Sequence, residues 1–355
     1  MQDIINGIKP LDDSAMAAAR ARQDSLVKPA GSLGRLEELS IQIAGITGQI
    51  NNRLDKKVHF VICADNGVYD AGVAAAPQEF TGLLMGFYAR GVRCGINVLC
   101  EKAGVDLKIV DMGVKGYIDH PNILHRKLMD GTGNFAVDRS MPRETALRAI
   151  EIGIELARDA VAQGYQIIGT GEVGMGNTTT AAATIIAALG IEDAGSCVGR
   201  GAGLTDEAYE LKKQVIIEAL DRLKPDASDP VDILSKVGGL DIAGLCGIFL
   251  GAAYCRVPVV VDGVISIAAA LLAYLLNPLA KEFMIPSHTS EEPAYRAAAD
   301  VIGLEPIMNL RMRLGEGTGC PIAMQIVDDA LEIMNTMNTF AETALDTNYQ
   351  EGIKN

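Results

Sequence analysis

The chain has 355 residues, enough for one large α/β domain or one domain with a smaller attachment. Hydrophobic residues make up 49% and charged residues 21%, which excludes a disordered chain. A formal net charge of −14 with no block of Lys or Arg argues against a nucleic-acid partner, because duplex affinity rests on neutralising phosphates.

Residues 11–25 and 36–50 have helical spacing of apolar side chains. KVHFVICA (57–64) is a β-rich apolar run that stops at Asp65, Asn66 and Gly67. A helical stretch over 79–103 leads to a second strand, DLKIVDMG (106–113). Helix over 143–163, strand YQIIGTG (165–171) and the Ala-rich helix NTTTAAATIIAALG (177–190) follow. Residues 206–223 are helical, RVPVVVDG (256–263) is a strand and 264–277 a helix. EFMIPS (282–287) is the last strand, before amphipathic helices over 291–302 and 321–346. Strands that are apolar throughout, separated by helices, predict a parallel sheet covered on both faces: a doubly wound α/β fold. In such folds ligands sit beyond the carboxyl ends of the strands. The outer helices 11–25, 36–50 and 321–346 do not fit the alternation and predict a small helical subdomain assembled from both chain ends.

The N-terminus, MQDIINGIKPLDD, has neither a basic start nor an apolar stretch, so a targeting signal is not expected. The longest apolar run, VISIAAALLAYLL after Gly263, is too short for a bilayer, and a cytoplasmic protein with no membrane partner is expected. Seven cysteines without a C-x-x-C pair, and four histidines far apart, predict neither a disulfide framework nor a metal centre.

Five segments could carry chemistry. GTGEVGMGNTTTAAA (169–183) runs from a strand through glycines into a helix start, where unpaired N–H groups and a partial positive charge suit a phosphate. An N-cap with a tight turn accounts for the same residues, and the absence of a P-loop Lys argues against an ATPase. RLGEGTGC (313–320) fences Glu316 with Gly315, Gly317 and Gly319. A Glu held beside an apolar pocket is a better proton acceptor, although an exposed loop Glu among turn glycines fits the pattern too. ADNGVYDAGVAAAPQEFTG (64–82) is small and apolar, like the floor of a pocket for a flat ring or a plain crossover. GRGAGLTDEAYELKK (199–213) places Lys212 and Lys213 after a Gly-rich turn, and IPSHTSEEPA (285–294) offers Ser290 as an N-cap that could touch an anion.

As an ordered set these segments resemble the nicotinate-nucleotide:dimethylbenzimidazole phosphoribosyltransferase family. The resemblance is carried by KPAGSLGRLEELS (28–40), ADNGV (64–68), GEVGMGNTTTAAA (171–183), GRGAGL (199–204), LSKVGGLDIAGLCG (234–247), VVVDGVIS (259–266), IPSH (285–288) and RLGEGTG (313–319). It implies a Rossmann-like parallel sheet in a large domain at 30–305, and a small helical domain from 1–29 and 306–355. It also implies a homodimer with nicotinate mononucleotide and an aromatic base as substrates, and no cofactor or metal. Glu316 matches the family's catalytic base and Glu172 a second site carboxylate. Gly174, Gly176, Asn177, Thr178, Thr179, Lys212 and Ser290 match positions around the nucleotide phosphate and ribose; a slip of one residue would substitute Lys213. Asn66, Ala74, Gln78, Leu83, Met175 and Leu314 match the acceptor pocket.

Two positions depart from the family pattern. Asn66 stands where many members have His, and Leu83 where a Gln is often present. These leave dimethylbenzimidazole, adenine and a phenol such as p-cresol open as acceptors. Two other readings stand beside the transferase: a phenol-using or non-catalytic subunit of a heterodimer, and a Rossmann dehydrogenase. The last is disfavoured because GEVGMGN does not follow the first strand.

Overall fold

A computed structural model describes residues 1–343 and 345. The chain opens with helices α1 (Gln2–Gly7), α2 (Asp13–Ser25) and α3 (Arg35–Thr47), then strand β1 (Lys57–Ala64). Helices α4 (Phe80–Ala89) and α5 (Gly95–Ala103) precede β2 (Val105–Gly113) and the short β3 (Ile123–His125). Next come α6 (Arg143–Ala162), β4 (Ile167–Val173), α7 (Asn177–Leu189), α8 (Asp206–Leu223), α9 (Pro230–Val237) and α10 (Leu240–Tyr254). β5 (Val259–Val261), α11 (Val264–Leu276), β6 (Met284–Pro286), α12 (Pro293–Ile302), α13 (Gly319–Thr336) and α14 (Phe340–Thr343) complete it.

All strand pairs are parallel, in the order β3-β2-β1-β4-β5-β6, so the expected doubly wound sheet is present. The order reverses between β1 and β4, which opens a crevice at their carboxyl ends. Side chains alternate across the sheet. On β1, His59 faces Cys320 and Met324 of α13, while Ile62 faces Gly244 of α10 on the opposite side. α10 lies across β1, β2 and β4 and packs on α6; α5 covers β2, and α13 covers β4 and β5.

Several differences from the sequence reading have physical causes. The stretch 79–103 is two helices, because the chain turns over Arg90–Cys94 with Gly91 in a left-handed conformation. That break creates the N-terminus of α5, which the site uses. The stretch expected as one helix over 321–346 also divides, into α13 and α14, because the backbone turns extended at Met337. Positions 344 and 346 of that stretch lie outside the described residues. α10 has no polar face: its residues from Leu240 to Ala253 are all buried, so it carries no helical period to detect. α9 starts on Asp229, whose carboxylate accepts from Val231 and Asp232 N–H, with Pro230 in the first turn. α3 packs against both α2 and α13, with a separate apolar cluster of Ala19, Ile41, Ala44 and Met334 between them. Among the described residues no helix is long and apolar enough to cross a membrane.

Candidate active site

Glu316 lies in the loop before α13, and its conformation is unusual. Gly315, Glu316 and Gly317 have φ of 83°, 62° and 82°, three left-handed residues in succession. Glycine tolerates this; a glutamate pays roughly 1–2 kcal/mol for it. Such a conformation persists only where neighbours fix it. Thr318 N–H and Oγ1 both donate to Gly315 O, at 3.1 and 2.9 Å. Gly319 N–H donates to Asp262 Oδ1 at 2.7 Å. Ile96 N–H, in the first turn of α5, donates to Glu316 Oε2 at 3.1 Å. The carboxylate is therefore held at a helix N-terminus rather than against apolar side chains alone. Tyr88 of α4 is buried beside it, its phenol pushed up by burial and by the Glu316 charge.

Burial acts on the other carboxylate. Glu172 sits near the end of β4, and desolvation, with Asp241 and Asp262 nearby, pushes its pKa up to about 8. Asn177 Nδ2 donates to its Oε2. Asp241, at the start of α10, is raised to about 6 by burial, and burial also raises Asp262, which His288 opposes. Sequence reading singled out neither aspartate, although both lie in the segments that carry the family resemblance. Among the described residues no group of three or more His, Cys, Asp or Glu side chains could hold a metal ion.

Beside Glu172 the chain enters α7 through Gly176, whose φ of 88° makes the turn into the helix. Lys212 of α8 is fully buried behind this turn, with Nζ donating to Thr178 Oγ1 at 3.0 Å and to Gly199 O at 2.8 Å. Burial depresses its pKa to about 8, opposed by the Glu292 carboxylate. Lys213 turns away, to Glu210 Oε1 at 2.7 Å. Thr179 is buried with its hydroxyl unpartnered, so it stands behind the turn rather than on the cavity. A helix start, a buried ammonium and hydroxyls in one place suit a dianion.

One cavity of about 290 Å³ lies in front of this turn, and neither Lys212 nor Thr179 lines it. Glu316, Glu172, Gly174, Gly176, Asn177 and Thr178 line it, as does Ser290. Ala74, Met175 and Leu314 line the same cavity, whereas Gln78 and Leu83 border a neighbouring hollow with Asp65, Arg90 and Lys115. Asn66 is fully buried below, beside Asp241, with Oδ1 unpartnered. Arg200 and Arg313, which the sequence reading passed over, also border the cavity, as does Tyr88. Tyr88 lies in an apolar helix, so no local signal marks it.

A family model described as phosphoribosyltransferase (DBI_PRT) matches residues 8–345. The chain belongs to this phosphoribosyltransferase family. A family relative from Clostridium tetani, named nicotinate-nucleotide–dimethylbenzimidazole phosphoribosyltransferase, is 46% identical over 97% of this chain and 95% of its own length. One of the same name from Chloroflexus aurantiacus is 47% identical over 97% of this chain and 98% of its own. The crystal structure of CobT from Thermus thermophilus matches this phosphoribosyltransferase with a TM-score of 0.89 and 37% identity, covering 94% of this chain and 99% of that one.

Proposed function

We propose that this phosphoribosyltransferase moves the phosphoribosyl group of nicotinate mononucleotide onto the lower-ligand base of a cobamide, dimethylbenzimidazole or a related base. The products are nicotinate and an α-ribazole phosphate, for the nucleotide loop of cobalamin. The observation that carries the reading is one cavity lined both by a fixed carboxylate, Glu316, and by the α7 start with Lys212 behind it. Full-length relatives bearing that enzyme name support it.

The ring nitrogen of nicotinate mononucleotide is already cationic, so nicotinate leaves with the electron pair of its bond to the anomeric carbon. An acceptor ring nitrogen forms the new bond there through its lone pair, and the proton that the acceptor loses passes to Glu316. Placing both substrates on one carbon replaces a bimolecular encounter. Glu172, with a pKa of about 8, is predominantly protonated near neutral pH. It donates a hydrogen bond to the ribose rather than opposing cationic charge with an anion. The phosphate sits at Gly174–Thr178 with Ser290, in front of the Lys212 ammonium, anchoring the sugar through a part that does not react. The acceptor lies against Ala74, Met175 and Leu314, with Asn66, Gln78 and Leu83 shaping the pocket from beneath and beside it.

In this reading α2, α3 and α13 form the small helical unit from the chain ends, and two copies pair in the cytoplasm. Exposed Phe80 and Leu314 on the cavity lining, and exposed Leu83 at the neighbouring hollow, support the pairing. The purified chain alone, given nicotinate mononucleotide with dimethylbenzimidazole, adenine and p-cresol in competition, is expected to release nicotinate and form one dominant α-riboside phosphate. Release only after addition of a related subunit would favour the heterodimer instead. Lys212→Met, an apolar replacement of similar length, should raise KM for the nucleotide about 10- to 100-fold with a small change in kcat, the loss of one charge-assisted hydrogen bond. An unchanged KM would remove Lys212 from the phosphate site.

A further inference from the structure

His59 lies in the middle of β1, fully buried beneath the Glu316 loop. Its Nε2 is 3.2 Å from the carbonyl oxygen of Glu316. A carbonyl only accepts, so this contact requires the proton on Nε2. Nδ1 is then left with its lone pair, and it is buried with no partner. Packing alone would be better served by an apolar side chain, since a buried nitrogen without a partner costs stability.

The surroundings are cut to admit the ring. Gly169 pairs with His59 across the sheet and Gly171 lies two residues on, on the same face. A methyl at Gly169 would overlap Nδ1, and one at Gly171 or at Gly317 would overlap Nε2. Three backbone positions from two segments are thus kept bare around one imidazole. The carbonyl it reaches belongs to the one non-glycine residue in the left-handed run at 315–317. Glu316 is gripped twice: its Oε2 by Ile96 N–H of α5, and its backbone oxygen by His59 of β1.

We propose that His59 is a positioning residue for Glu316, its neutral Nε2–H donating to the Glu316 carbonyl so that the strained backbone directs the carboxylate at the acceptor. The inference rests on the reading of Glu316 as proton acceptor. The depression of the His59 pKa to about 4 by burial agrees with a neutral ring.

The test compares His59→Met, His59→Gln and Glu316→Gln for kcat and for KM of nicotinate mononucleotide. The Gln amide nitrogen occupies nearly the place of Nε2 and keeps a donor; Met keeps the bulk and loses it. His59→Met is expected to lose about 10- to 100-fold in kcat with little change in KM, as a misplaced catalytic group does. His59→Gln recovers most of that rate. Wild-type kcat in His59→Met while Glu316→Gln is impaired overturns the positioning role alone. So does equal impairment of both His59 variants. Full activity of Glu316→Gln overturns the underlying reading. Nitrogen-15 NMR of the unsubstituted protein reports independently of variant folding, and only four histidines need assignment. A neutral Nε2–H ring at neutral pH supports the inference; an Nδ1–H tautomer or an imidazolium overturns it.

Discussion

Glu172 illustrates how one burial changes the chemistry of a residue. Its carboxyl titrates at about 8 in the fold against a reference of 4.5. A raised pKa means that its contribution to stability is complete below about 4.5 and is lost as pH climbs toward about 8. Glu172→Gln cannot ionise, so its melting temperature should gain on that of the unsubstituted protein across this interval; parallel melting curves would show that the carboxyl is not held neutral. His59 has the opposite sign. Its pKa falls from 6.5 to about 4, so its contribution is complete above about 6.5 and lost as pH drops toward about 4. His59→Gln should flatten that acid limb in thermal unfolding followed by circular dichroism, and an unchanged slope would contradict the burial of a neutral ring. At this scale the sequence disclosed residues that sit among glycines. Glu316, Lys212 and the α7 start are marked by the loops around them. His59 and Tyr88 are not, because each sits in an apolar element and acquires its partner only when distant segments meet.

Among the elements, α10 and α6 share the most extensive contact. Gly153 on α6 and Gly247 on α10 face each other, and a methyl at Gly247 would overlap Ile150 O and stand 2.9 Å from Gly153 Cα. Backbone meets backbone there, with no flexible side chain to yield. Gly247→Ala should therefore cost about 1–3 kcal/mol, read as a lower urea midpoint at unchanged slope. A midpoint equal to that of the unsubstituted protein would mean the helices are free to separate. The amphipathic helices were legible, with 206–223 matching α8 end to end, because one face meets water and imprints a period. α10 escaped because it meets no water on any side. β3 escaped because its three residues are only partly buried and sit among polar neighbours, without the apolar run that marks β5 and β6.

For the molecule as a whole, the reversal of strand order between β1 and β4 decides where chemistry can occur. The loop after β1 carries Asn66, the end of β4 carries Glu172, and α13 brings the Glu316 loop over the same crevice. The parallel sheet was readable from strands that are apolar throughout, and its use of the crevice followed from the fold. The division of the acceptor residues between the cavity and the adjoining hollow was not readable, because it depends on how α4 lies across the strand ends. The most direct measurement of the central claim is single-turnover phosphoribosyl transfer by Glu316→Gln, with nucleotide affinity determined in parallel. Nucleotide binding should persist while the transfer rate falls about 10²- to 10⁴-fold, the loss of a positioned proton acceptor. A transfer rate close to that of the unsubstituted enzyme would contradict the assignment of proton removal to this carboxylate.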